Sequence, residues 1–181
     1  MKLMIAADLH GSAYYGNAMC RAFQREGADR LVLLGDLLYH GPRNDLPRDY
    51  DPKQVIALLN PLAGRLLCVR GNCDSEVDQM VLHMPILADY GVLLLGTRLV
   101  YLTHGHVYHR DHLPPLHPGD LLLCGHTHVP AWEAFGEDNW YLNPGSLSLP
   151  KQDSPHSYLI LEEGQAVWKT LEGTPFHTLE L

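Results

Sequence analysis

Five short apolar runs in this sequence stop in the same manner, and that limits the chain's possible folds more than any other feature. Lys2–Ala7 runs into Asp8-Leu9-His10, and Leu31–Leu34 into Gly35-Asp36. Arg65–Val69 runs into Arg70-Gly71-Asn72-Cys73-Asp74, Leu99–Leu102 into Thr103-His104-Gly105-His106, and Leu121–Cys124 into Gly125-His126-Thr127-His128. Short apolar runs bounded by turn residues read as buried strands. In an open α/β sheet, ligands bind in the crevice beyond the carboxyl ends of the strands. Here those ends carry carboxylates, one amide and imidazoles. Glycines beside four of the five sets permit the tight turns that aim side chains into a shared space. Taken singly, Asp-x-His, Gly-Asp and Gly-Asn-x-Asp are turn signals. Taken together, each after an apolar run, they form a metal-ligand set of carboxylate, amide oxygen and imidazole that needs no thiolate.

The segments between the runs define the class. Ser12 can cap a helix running to about Glu26, with Tyr15, Met19, Ala22 and Phe23 on one apolar stripe and Gly27 as the stop. Asp51-Pro52 opens a second helix with Val55, Ile56 and Leu59 facing inward. Ser75–Asp78 resembles a short capping box. This β-α-β-α-β order predicts a partly parallel sheet. The second half turns to strands. Val92–Leu95 and Leu99–Leu102 flank a hairpin turn, and Trp132–Phe135, Trp140–Leu142, Tyr158–Leu161 and Ala166–Leu171 follow. The expectation is α/β, with two packed sheets in a single domain over residues 1–181.

Composition narrows the function. Histidine, at 12 residues, nearly equals Lys+Arg at 13, which raises the question of metal. The net charge of −8 argues against a nucleic-acid partner or an anionic membrane surface. The cysteines, Cys20, Cys68, Cys73 and Cys124, form no C-x-x-C pair; Cys68 and Cys124 read as small core residues in a reducing compartment. The apolar stretch Leu3–Ala7 is too short for a signal peptide, and no stretch reaches the ~18 residues of a membrane helix. A cytoplasmic location is expected.

The five motifs in this order resemble the calcineurin-like metallophosphoesterases, over the whole chain. The loop His40-Gly41-Pro42-Arg43-Asn44, the stretch Gly71–Met80 and Asn143-Pro144-Gly145-Ser146 are most similar to the small bacterial phosphodiesterases of that family. The resemblance implies a four-layer α/β/β/α sandwich, two mixed sheets flanked by helices, carrying a dinuclear metal centre. One ion would take Asp8, His10, Asp36 and His128; the other would take Asp36, Asn72, His104 and His126, with the Asp36 carboxylate shared. It also implies a phosphodiesterase in which a hydroxide bridging two divalent ions attacks in line. Mn2+ is the metal the resemblance favours, and mixed N/O ligation suits Zn, Fe, Co and Ni as well. Asp36, Asn72, Cys73, Asp74 and His106 are the catalytic candidates. Cys73 stands where many members have a histidine that protonates the departing oxygen, and His106 is close enough to His104 to substitute. Arg43 and Arg70 are candidate phosphate contacts, with Arg70 alternatively pairing Asp74. Ser146 is a candidate for the site wall, and His109, His112 and His117 read as a solvated loop. The expected partner is a small phosphoester, and the family resemblance points to a homo-oligomer, dimer or tetramer. The competing readings are a non-catalytic protein-binding scaffold like the retromer subunit of this fold, and a phosphomonoesterase or protein phosphatase of the same family.

Overall fold

The computed structural model describes residues 1–181. Its first sheet takes strands from both ends of the chain. β1 (Leu3–Ala6), β2 (Arg30–Leu33) and β3 (Leu66–Cys68) lie parallel at one side. β9 (Ser157–Glu162), β10 (Gln165–Thr170) and β11 (Pro175–Glu180) continue it antiparallel, in the order β11-β10-β9-β1-β2-β3. The second sheet has the order β4-β5-β6-β8-β7, from β4 (Tyr90–Leu95), β5 (Arg98–Thr103), β6 (Leu121–Leu123), β7 (Pro130–Phe135) and β8 (Asn139–Pro144). β5, β6 and β8 run parallel at its centre.

Strand alternation divides the core in two. Leu3, Ile5, Val32, Leu34, Leu159 and Leu161 point into the space between the sheets, where they meet Val100, Leu102, Leu121, Leu123 and Leu142. Met4, Ala6, Leu31, Leu33 and Ile160 point the other way, toward the helices. Burial on both faces is why these strands read as unbroken apolar runs rather than as alternation. Trp168, fully buried, ties the sheets together by donating from Nε1 to the Asn143 carbonyl at 2.7 Å.

The helices form where their caps are. α1 (Ala13–Glu26) starts with Ser12 Oγ accepting from Tyr15 N and ends at Gly27 with φ 59°. Its stripe buries Met19, Ala22 and Phe23, the larger two worth about 1.5–3 kcal/mol each. Tyr15 is only partly buried, with its hydroxyl on His156 Nε2 at 2.9 Å. α2 (Pro52–Leu59) is capped by the Asp51 carboxylate and buries Val55 and Leu59 before a 3-10 turn over Asn60–Arg65. α3 (Glu76–Gln79) is one turn closed by a reciprocal Ser75/Asp78 capping box.

The expected α/β class with two mixed sheets and flanking helices stands, and the layers are distributed unevenly. α1, α2 and the 3-10 turn cover the first sheet. The outer face of the second sheet, with Tyr101, Leu122, Cys124 and Tyr141, is covered by the 104–120 segment through Leu116 and a Tyr101 hydroxyl bond to Pro115 O at 2.7 Å. The fourth layer is therefore a loop, because 104–120 carries prolines and histidines in no helical period. One strand is absent from the sequence reading: β11 is a largely solvent-facing edge whose Pro-Phe-His-Thr-Leu-Glu makes no apolar run. Cys68 is only half-buried, whereas Cys124 is a core residue as expected, and all four cysteines are free thiols.

Candidate metal centre

The parallel strands β1, β2, β3, β5 and β6 deliver their carboxyl ends to one edge, and the five motifs meet there. The turns that follow are strained in a consistent way. Asp8, His10, Asp36, His126 and His128 all hold positive φ, between 50° and 67°. Left-handed backbone costs a non-glycine residue about 1–3 kcal/mol and persists only where the surroundings over-determine it. Asp and His are among the types that tolerate it best. The surroundings supply the restraint. Asp8 N and His10 N donate to Gly35 O and Asp36 O at 3.2 and 2.9 Å. The hydroxyls of Ser146 and Ser148 both donate to Asp8 O at 3.0 Å.

Glycine makes the close approach possible. A Cβ on Gly71 would overlap the Asp36 carboxylate and backbone nitrogen, and one on Gly35 would overlap the Gly71 backbone. The loops after β2 and β3 thus touch main chain to main chain. Asp74 holds them together: its carboxylate accepts from Asp36 N at 2.9 Å, Leu37 N at 2.9 Å and Gly71 N at 2.7 Å. Burial lifts the Asp74 carboxyl to about 6, against the pull of those amides.

The imidazoles are aimed by backbone carbonyls. His10 Nδ1 donates to Tyr39 O at 2.9 Å, His104 Nδ1 to Leu34 O at 2.6 Å, and His128 Nδ1 to Leu149 O at 2.6 Å. A carbonyl can only accept, so each ring turns a bare Nε2 inward when neutral. The consequence is a crowd of acceptors with nothing to accept from. His10 Nε2 lies 3.2 Å from His128 Nε2. Asp8 Oδ1 lies 3.3 Å from His128 Nε2 and 3.7 Å from His10 Nε2, is buried, and has no hydrogen-bond partner of good geometry. In the other half, His104 Nε2 faces Asn72 Oδ1 at 3.0 Å and His126 Nδ1 at 3.1 Å. Asp36 Oδ2 sits between the halves, 3.7 Å from His10 Nε2 and 3.5 Å from His104 Nε2.

Such an arrangement calls for positive charge. Burial pushes His128 down, yet its contact with Asp8 outweighs that and holds the imidazole above its ordinary value. Burial would likewise raise Asp8, and the surrounding imidazoles, His128 first, hold it below the usual carboxylate range. His10 and His126 are pushed down, chiefly by burial, and so favour the neutral, ligating form. The donor set fits divalent cations of the imidazole–carboxylate type. The seven expected ligands, Asp8, His10, Asp36, Asn72, His104, His126 and His128, all lie in this one cluster.

The remaining candidates divide. Arg43 lines the polar cleft over the cluster, about 370 Å3 in volume, as do Asn72, Cys73, His126 and His128. Arg70 does not; it pairs with Asp89 at 2.7 Å, and the alternative pairing with Asp74 fails because that carboxylate is committed to three amides. The same commitment corrects Asp74 from a catalytic candidate to a positioning residue. Cys73 lies at the cleft wall with its thiol pushed up to about 12 by burial and then by Asp36, while its amide donates to Asp36 Oδ1 at 2.8 Å. His106 stacks edge-on to His104, centroids 5.3 Å apart, outside the cleft lining, with Nδ1 buried and unpartnered. His109 and His112 pair with each other in the loop beyond. Ser146 is no wall group: it is fully buried behind Asp8. Asn44 lines the cleft from the His40–Asn44 loop, and Lys151 lines it without having been singled out in the sequence, since it stands in no motif. Neither Arg43 nor Lys151 is in an ion pair, so both cations face the cleft uncompensated. A larger cavity of about 480 Å3, between the starts of α1 and α2, contains none of the ligands.

Comparison with known proteins agrees with this geometry. A family model described as the calcineurin-like phosphoesterase superfamily domain matches residues 1–165. Phosphodiesterase YfcE of Escherichia coli (strain K12) is 49% identical over 162 residues, 90% of this chain and 88% of that protein. The solved structure of YfcE, a phosphoesterase from E. coli, superposes with a TM-score of 0.96 at 44% identity, over 99% of each chain. Vps29 from Entamoeba histolytica, solved with Zn2+, superposes with a TM-score of 0.59 at 19% identity over 99% of each chain, a likeness of fold alone.

Proposed function

This chain belongs to the calcineurin-like phosphoesterase superfamily, and we propose that it hydrolyses phosphodiesters at two divalent metal ions. Asp8, His10, Asp36 and His128 would hold one ion, and Asp36, Asn72, His104 and His126 the other. The observation that carries this reading is the confrontation of acceptors: bare imidazole nitrogens 3.2 Å apart, beside a buried carboxylate oxygen with no partner. When bound, a pair of divalent ions supplies a water nucleophile of lowered pKa and charge stabilisation for the phosphoryl oxygens.

The chain's own residues do the rest. Asp36 contributes to both halves through one carboxylate, and its Oδ1 is oriented by the Cys73 amide. Asn72 brings an uncharged oxygen, which leaves the centre positive toward an anionic substrate. Arg43 and Lys151 give the cleft of an acidic protein a local attraction for phosphate. Cys73 is a weak acid beside the leaving oxygen, so diesters with good leaving groups are the favoured substrates. His106, beside His104 but outside the cleft, is the reserve donor. Mn2+ is the ion we favour, with Zn, Fe, Co and Ni as chemically suited substitutes. A homo-oligomer, in which the apolar β4 edge with Tyr90, Val92 and Leu94 exposed is the natural contact, and a cytoplasmic location complete the proposal. No helix is long and apolar enough to cross a membrane. The scaffold reading has less support, because every ligand position carries a competent side chain.

The test is elemental analysis of the purified protein, followed by a panel of phosphomonoesters and phosphodiesters before and after chelation. Two ions per chain, diester turnover that disappears on chelation, and recovery with Mn2+ are expected. Full activity after exhaustive chelation and dialysis would overturn the reading.

A further inference from the structure

Past Cys73 the polar cleft gives way to a hollow of opposite character. It measures about 420 Å3, and seven of its ten lining residues are apolar, among them Tyr39, Pro52, Ile56, Val77 and Val81. Cys73 lines both spaces. Its sulfur and the ligating atoms of His10 and Asp36 all lie within 4.8 Å of one another, so the groove begins directly beside the metal centre. Ser75 and Asp78 at the groove are engaged with each other. Asp78 accepts from Ser75 N and Ser75 Oγ at 2.8 Å each, and no cation lines the space. Tyr39, Val77 and Val81 nevertheless stand well exposed, Val77 at 68%. Exposed apolar side chains gathered round a concavity, continuous with a charged site, mark a place where a ligand's apolar part is received.

We propose that this groove is the subsite for one alcohol of the phosphodiester and that it selects an aromatic, flat and uncharged group. The inference rests on the phosphodiesterase reading above and refines it: the anion lies over the metal cluster between Arg43 and Lys151, and the ring lies across Cys73 against Tyr39, Ile56, Val77 and Val81. The groove lacks any cation and borders Asp78, so a second phosphate is excluded from it. A single ring fits its volume.

Binding calorimetry on the metal-loaded protein tests this with methylphosphonate and phenylphosphonate, which share a head group and differ in the ring. Burying roughly 100 Å2 of ring should tighten phenylphosphonate by about tenfold or more. Val77→Asn, on an exposed position of a one-turn helix, should abolish that gain and leave methylphosphonate unchanged. Val81→Asn should do the same should the first variant prove poorly folded by circular dichroism. Equal affinities in the parent, or a gain that survives both substitutions, overturns the proposal. A change in oligomer size on substitution, with no gain from the ring, also overturns it and shows that a second copy of the chain covers the groove. Failure of methylphosphonate itself to bind strikes at the phosphodiesterase reading, and the groove proposal falls with it.

Discussion

The two halves of the metal cluster share Asp36 and are built differently. In the inner half, Asp8, His10 and His128 are all buried, His10 and His128 are aimed by carbonyls, and Asp8 is backed by two serine hydroxyls. In the outer half only His104 is buried; Asn72 is exposed and His126 half-buried. His126 also presents Nδ1, with no carbonyl fixing its other nitrogen, and Asn72 turns its amide onto the Cys73 sulfur at 3.3 Å. The inner half is a socket fixed by the fold. The outer half is loop-borne and open to solvent, where ligands and water exchange readily. The lesson is that the two ions should differ in affinity, with the outer one lost first.

The largest effect would break the comparison altogether. Asp36→Asn should release both ions and abolish turnover, since both halves depend on that carboxylate. Two ions retained by elemental analysis would show that Asp36 is not shared. Next, His128→Ala and His126→Ala should diverge. Removing His126 should leave one tightly held ion per chain, whereas removing His128 should empty the inner socket; identical metal contents would erase the distinction between the halves.

Cys73→His acts on the outer wall alone. A positioned acid is typically worth ~10²–10⁴ in rate, and the gain should be greatest for the poorest leaving groups. Rates plotted against leaving-group pKa should therefore fall steeply in the parent and less so in the variant. A flat plot in the parent that steepens on His106→Ala would place the acid on His106. Ser146→Ala touches no ligand side chain, and it should weaken inner-site metal affinity by about 10–100-fold through Asp8, the usual penalty for losing a supporting hydrogen bond. An unchanged affinity would show that Ser148 alone holds that turn.

The smallest effect separates the frame from the site. Glu26, at the end of α1, accepts from Tyr158, Lys2 and Lys169 at 2.7–3.2 Å. Burial pushes its carboxyl up, and these donors outweigh burial and hold it below the ordinary value. A depressed carboxyl stabilises the fold above the unfolded-state pKa, and that contribution is lost as pH falls through the folded one. Glu26→Gln should lower Tm near neutrality by about 2–4 °C and flatten its decline on acidification, with metal content unchanged. A parallel shift at every pH would assign the loss to packing rather than to charge.

Most of the inner half was legible in the sequence, because each ligand there follows an apolar run that can only be a buried strand. Ser12, Asp51, Gly27 and the Ser75/Asp78 pair were legible as caps because capping is a local bond between near neighbours. What escaped has a common physical origin. Asp74 reads as a catalytic candidate beside Asn72, and only the approach of a second loop reveals that it serves backbone amides. Ser146 reads as a wall group until the strand ends are brought together behind Asp8. Lys151 belongs to no motif and reaches the cleft from the segment after β8, its amide bonded to the His128 carbonyl at 3.2 Å. β11 is an edge strand with a largely exposed face, and its few packing contacts, such as His177 stacked on Trp132, leave no apolar pattern to betray it.

The contact between Gly35, Gly71 and Asp36 acts as a length gauge. Two chain segments meet there with no side chain between them, so the spacing of the two half-sites is cut by the main chain and not by the ligands it carries. Ligands can be exchanged, and the preferred metal with them, while that spacing stays put. A single methyl group at Gly71 would alter it and would disable the centre without removing one donor atom. Mutational surveys restricted to charged and polar side chains would miss the residue that sets the dimension on which the chemistry depends.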